Sequence, residues 1–136
     1  MHRDPYRFDP EELKARFNPE GSPLRLQQLR MKEMLKVLDG ICRKHDIPYW
    51  IASGTLLGCM RHGGFIPWDD DLDVEMLRSD YKRLLRILPS ELPEWMELQH
   101  RDTDPNYFYS YAKLRDKNSL LEETNGYDRI FRMKGI

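Results

Sequence analysis

The segment Trp68-Asp69-Asp70-Asp71-Leu72-Asp73-Val74-Glu75-Met76 sets acids in alternation with apolar residues. As a strand over 69–76 it puts Asp71 and Asp73 roughly 6.5–7 Å apart on one face, with Asp69 beside them. Leu72, Val74 and Met76 then turn toward a core. Clustered carboxylates raise one another's pKa unless a cation neutralises them. A hard divalent cation such as Mg²⁺ takes oxygen ligands and keeps positions open for phosphate oxygens. Two other readings compete. A solvated acidic edge strand fits poorly with the apolar opposite face and the preceding Gly-rich turn. A calcium loop fails because Val74 stands where its sixth residue is Gly, and Asp80 where its twelfth is Glu.

Ser53-Gly54-Thr55-Leu56-Leu57-Gly58 follows a short apolar stretch and opens a helix. A helix N-terminus offers free N–H groups and partial positive charge, which suit a phosphate. Gly54 lets the backbone approach a ligand, and Ser53 or Thr55 adds a hydroxyl; the bland alternative is turn geometry alone. Gly54 precedes Asp71 by 17 positions, room for one helix and a return, so a phosphate cradle and a carboxylate pair can share a cleft. Arg61, at the end of that helix, is either a bidentate phosphate clamp or a cation satisfying terminal carbonyls. His62 is expected to make a structural hydrogen bond, and Trp68 to pack against the sheet. In a strand Tyr107–Arg115, one face carries Tyr107, Tyr109, Tyr111, Lys113 and Arg115. That row either stacks a base and grips phosphate through its cations, Lys113 first, or joins the core.

These residues need elements to position them. A short helix is expected near 10–17 and a long one over 24–45, where apolar positions recur every three or four residues. The long helix carries six basic residues against two acidic. That excess reads as a solvated face, with contact to an anionic membrane or substrate as the alternative. A strand at 49–52, the helix after Ser53, the acidic strand, a helix capped by Ser79 and stopped by Pro89, and strands near 96–100 and 107–115 complete the order. The fold class is α/β (α+β), with a mixed β-sheet flanked by helices. Residues 1–23 read as an N-terminal arm and 24–136 as one domain.

The chain has 136 residues, with 22 basic against 23 acidic side chains and a net charge of −1. Near-neutrality removes the global field that nucleic-acid binding needs, so no nucleic acid is expected as a partner. With 40% hydrophobic and 33% charged residues, the composition is that of a globular domain, not a disordered one. No apolar run is long enough to span a bilayer. Cys42 and Cys59 belong to no CxxC or metal spacing and fit a reducing compartment. The expected location is the cytoplasm, with the inner face of the membrane as an alternative station.

Together the segments Cys42–Trp50, Ser53–Gly58 and Arg61–Asp73 resemble the LicD-type transferases of the nucleotidyltransferase-fold superfamily, with their fukutin-like relatives. The stretch Ile66-Pro67-Trp68-Asp69-Asp70-Asp71-Leu72-Asp73 after the Gly-Thr-Leu-Leu-Gly turn is the most specific part. The resemblance implies a mixed sheet flanked by helices and Mg²⁺ (or Mn²⁺) on Asp71 and Asp73, the catalytic acids, with Asp69 as third ligand or as an acid just behind the ligands. It implies Gly54 and Thr55 facing phosphate, and the residue reading adds Ser53, Arg61 and Lys113 as candidate phosphate contacts. The implied reaction transfers phosphorylcholine from CDP-choline, or a similar CDP-activated donor, to a glycan acceptor such as lipopolysaccharide or teichoic acid. Such folds add a third acid from a later strand. Asp116 is the one candidate substitute the sequence offers; the preferred alternative is that the chain is a fragment of the catalytic core. The alternatives are a non-catalytic nucleotide- or metal-binding module and a different nucleotidyltransferase.

Overall fold

The computed structural model describes residues 8–123 and 126–136. The first seven residues of the expected arm lie outside them. The chain divides into two compact units, Met1–Lys32 with Tyr49–Met76, and Glu33–Pro48 with Leu77–Ile136.

The first unit carries the acids. Helix α1 (Pro10–Phe17) starts where expected: Asp9 caps it by accepting the Glu11 N–H at 2.9 Å, and Pro10 occupies the first turn, where no donor is needed. Helix α2 (Pro23–Lys44) begins in this unit and ends in the second. Strand β1 (Trp50–Ile51) leads into helix α3 (Ser53–His62), which stops at Gly63 in the left-handed conformation, φ 66°. Strand β2 (Val74–Glu75) pairs antiparallel with β1, Trp50 opposite Glu75 and Ile51 opposite Val74.

In the second unit the apolar face of α2, with Met34, Leu38, Ile41 and Cys42, is buried. Helix α4 (Arg78–Glu91) buries Leu84 and Leu88. Strands β3 (Met96–Gln99) and β4 (Lys113–Asp116) pair antiparallel, with Leu98 opposite Leu114. A 3-10 turn, Tyr127–Ile130, precedes the last residues. These run beside β4: the Asp116 N–H donates to the Ile136 carbonyl at 2.7 Å, and the Leu121 N–H to that of Lys134 at 2.8 Å. Gly135 is obligatory there, because a Cβ would collide with the Asp116 backbone.

The α+β class is as expected; several local expectations are corrected. The described strands form two separate antiparallel ladders, with no mixed sheet among them. The acidic strand shrinks to Val74–Glu75: residues 69–73 are irregular, since three adjacent carboxylates are poor strand formers. The row Tyr107–Ala112 is irregular too, and only Lys113–Asp116 is a strand. Helix α4 starts before Ser79, with Leu77 as an N-cap that makes no side-chain bond. Pro89 lies inside the helix, whose terminal Leu92 N–H still reaches the Leu88 carbonyl at 2.9 Å. No described helix is long and apolar enough to cross a membrane.

Candidate metal and phosphate site

The irregular segment at 69–73 is held by side chains instead of a ladder. Gln28, buried in α2, donates its amide to the Asp69 carbonyl at 2.9 Å and the Ile66 carbonyl at 3.1 Å. Its own oxygen accepts from Asn18 at 3.0 Å and Arg25 at 3.2 Å, so both ends of the amide are satisfied. Gln27 donates to the Asp70 carbonyl at 2.8 Å. At the far end, the Asp73 N–H donates to Thr55 Oγ1 at 2.9 Å, and the Asp73 carbonyl accepts from Ala52 N–H at 3.0 Å. The acidic segment is thus stitched to α2 on one side and to the start of α3 on the other. Gly58 allows this return: a Cβ there would meet the Gly64 carbonyl at 2.5 Å and the Ile66 nitrogen at 2.8 Å.

The carboxylates that converge are those of Asp69, Asp70 and Asp71, whose oxygens lie within 4.8 Å of one another. Asp73, expected to share a face with Asp71, falls outside that group because the segment is not a strand; it is exposed at the base of β2. Partial burial, then the negative charge of Asp71 beside it, pushes the Asp69 carboxyl above its usual pKa. The set is all hard oxygen, carries more negative charge than it can neutralise internally, and has two of its three members exposed. Those features fit Mg²⁺ or Mn²⁺.

The α3 N-terminus adjoins the acids. Its N-cap, Ala52, provides no side-chain acceptor, so the first N–H groups of the helix are not capped that way. Ser53 has φ 51°, a conformation a side-chain-bearing residue rarely adopts, and so marks the turn as strained. A Cβ on Gly54 would lie 2.7 Å from Asp69 Oδ2, so glycine leaves the space that brings backbone and carboxylate together. The Thr55 oxygen is engaged by Asp73 N–H, leaving its proton for another acceptor.

The remaining expectations separate. Arg61 is exposed in the last turn of α3 and has no carboxylate partner among the described residues. Lys113 belongs to the second unit, its ammonium 5.1 Å from the centre of the Tyr109 ring. Arg115 is buried, with Nε on Gln99 at 2.8 Å and a guanidinium nitrogen on the Gly135 carbonyl at 2.9 Å, so it does not present itself to phosphate. Trp68 is 57% exposed instead of packed on a sheet, edge-on to Phe17 and His62. His62 Nδ1, expected to be hydrogen-bonded, is buried without a partner among the described residues. Gln28 was missed; its signal is a polar side chain on the apolar stripe of α2, four residues after Leu24 and three before Met31.

Comparison with known proteins adds an independent line. The family model described as "LicD/FKTN/FKRP, nucleotidyltransferase domain" matches residues 46–125. The Haemophilus influenzae protein named lipopolysaccharide cholinephosphotransferase LicD is 36% identical over 76% of this chain and 39% of its own length. The human ribitol 5-phosphate transferase FKRP is 36% identical over 37% of this chain and 10% of its own. Human ribitol-5-phosphate transferase FKTN is 37% identical over 38% of this chain and 11% of its own. The chain therefore spans well under half the length of these relatives. No solved structure matches it. A family match over most of the chain, including the Gly54 turn and the whole acidic segment, places this protein in the LicD/FKTN/FKRP family.

Proposed function

We propose that this chain forms the metal- and donor-binding part of a transferase that moves a substituted phosphate from a CDP-activated donor to a glycan hydroxyl. CDP-choline is the first candidate donor, with phosphorylcholine as the transferred group and lipopolysaccharide or teichoic acid as acceptor. The observation that carries this reading is the convergence of Asp69, Asp70 and Asp71 beside the uncapped start of α3.

Asp69, Asp70 and Asp71 would hold Mg²⁺ or Mn²⁺, with Asp73 one step away at the base of β2. The bound ion would neutralise charge on the donor's diphosphate. Gly54 and Thr55 bind and orient that diphosphate through backbone N–H groups and the Thr55 hydroxyl proton; Arg61 adds a forked donor at the other end of α3. The Gln28 clamp fixes the acidic segment before the donor arrives, and such preorganisation is where phosphoryl transfer gains most. In the balanced reaction the acceptor oxygen bonds to the phosphorus bearing choline, the bridging P–O bond breaks and CMP leaves. The acceptor proton passes to solvent or to a carboxylate.

The test is calorimetric titration of the chain with CDP-choline, CDP-ribitol and CTP, with and without Mg²⁺. Metal-dependent binding of a CDP donor is expected, and Asp71→Asn should weaken Mg²⁺ at least about tenfold while melting like the parent chain. Binding that ignores the metal would overturn the reading. The ribitol named in the FKRP and FKTN relatives makes CDP-ribitol the second donor to compare.

A further inference from the structure

The second unit contains a groove of about 340 Å³ away from the acidic residues in sequence, lined among others by Arg78, Tyr81, Arg101, Asp102, Tyr109 and Tyr111. Its size falls in the range of small-molecule sites. Neither guanidinium has a carboxylate partner among the described residues; Arg78 instead lies 5.5 Å from the centre of the Tyr81 ring. Two such guanidinium groups at one groove supply the forked donors that phosphate and carboxylate accept.

The groove is also more than an anion patch. Tyr109 and Tyr111 are stacked, 5.2 Å between centres at 21°, and Tyr111 is 51% exposed, presenting ring surface to a ligand. Tyr109 is already engaged by Tyr111 and by Lys113, 5.1 Å from its centre, so it is poorly placed to sandwich a nucleobase. The walls are fixed by the fold: Tyr81 accepts the Ala112 N–H at 3.0 Å, and the Tyr107 hydroxyl donates to the Tyr111 carbonyl at 2.7 Å. Asp102, whose side chain is 90% exposed with one carboxylate oxygen 3.7 Å from Nδ1 of His100 in the same lining, adds an acceptor. A bare anion gains nothing from a carboxylate, whereas sugar hydroxyls donate to one. Aromatic surface, a carboxylate and two unpaired guanidiniums together fit a sugar that carries an anionic group.

We propose that this groove binds an anionic saccharide, a sugar bearing phosphate or carboxylate; the binding stands apart from the transferase reading above. The test titrates the full chain, without metal or donor, with glucose 6-phosphate, glucuronate, glucose and inorganic phosphate. Tyrosine-ring NMR signals, assigned with Tyr→Phe variants, report the site. Glucose 6-phosphate or glucuronate should shift the Tyr81, Tyr109 and Tyr111 signals, with glucose at least about tenfold weaker. Arg78→Gln and Arg101→Gln should each weaken the anionic sugar about five- to tenfold, while Arg43→Gln, on an exposed face of α2, leaves it unchanged. Inorganic phosphate binding as tightly as glucose 6-phosphate would reduce the groove to a bare anion patch and overturn the proposal. Tighter binding of CMP at the same tyrosines, or no shift with any sugar, would overturn it too. Failure of the Mg²⁺ and CDP-choline titration alone would remove the transferase reading and leave saccharide binding at the groove standing.

Discussion

Asp69 is the residue under most electrostatic tension in the first unit. It is partly buried, sits beside Asp71, and has the α-carbon of Gly54 facing its carboxylate. Gly54→Ala probes that arrangement without touching an acid. The new methyl would stand 2.7 Å from Asp69 Oδ2, and the obstacle is the end of a movable side chain, so the carboxylate swings aside at small cost to folding. Alanine also gains up to about 1 kcal/mol of helix propensity over glycine. The expected result is a melting temperature equal to or above the parent's, together with Mg²⁺ affinity lowered about tenfold by calorimetry. Unchanged affinity would mean that Asp69 is not a ligand. The residue types of this site were legible in the sequence, and its spatial grouping was not. Alternation suggested Asp71 with Asp73, whereas the group that converges is Asp69, Asp70 and Asp71, because the register of a strand does not apply to a loop held by Gln27 and Gln28.

At the scale of elements, helices were readable because 3.6-residue periodicity is local, even though α4 overruns both of its expected ends. Strands were not. Val74–Glu75 and Lys113–Asp116 owe their extent to partners distant in sequence, and the tyrosines of 107–111 alternate in type without pairing as a strand. What fastens the second ladder to the last residues is also non-local. Asp104 is fully buried and accepts from Gln99 at 2.8 Å and from the Arg132 and Met133 N–H groups at 2.9 and 3.1 Å. Burial by itself would raise its pKa, but those donors, with the Asn106 N–H, outweigh it and hold the carboxyl below its usual range. A depressed native pKa contributes stability that is fully present above the unfolded value, near about 3.9, and is lost as pH falls through the lower native one. Urea midpoints measured from pH 6 down to pH 2.5 should therefore fall more steeply for the parent than for Asp104→Asn. The variant itself should be destabilised by about 2–3 kcal/mol at pH 7. All three donors converge on Oδ2, where a neutral amide oxygen accepts them more weakly than a carboxylate, and the amide NH₂ would be buried without an acceptor among the described residues. Parallel pH profiles would show that Asp104 does not carry this linkage.

The two units differ in how much apolar surface they hide, and this bears on how the whole molecule behaves. Among the described residues, the fully buried hydrophobic side chains lie in the second unit, apart from Ala52. The first unit exposes Phe8, Phe17, Leu26, Trp50, Leu56, Leu57, Met60 and Trp68. With little buried apolar area, the first unit has correspondingly little free energy to resist local opening. Hydrogen exchange should thus find the amides of α1 and α3 exchanging well before those of α4, β3 and β4. The acids make that difference tunable. A cation bound by Asp69, Asp70 and Asp71 stabilises the closed first unit by about 2.7 kcal/mol at a hundredfold excess over its dissociation constant, and does nothing directly for the second. Adding Mg²⁺ should slow exchange in α3 by up to about a hundredfold and leave α4 unchanged, an effect that Asp71→Asn removes. Uniform slowing across both units would place the cation elsewhere. No change at all would take the metal from the acidic segment and leave its carboxylates as a solvated loop, held by Gln28 for reasons of folding alone.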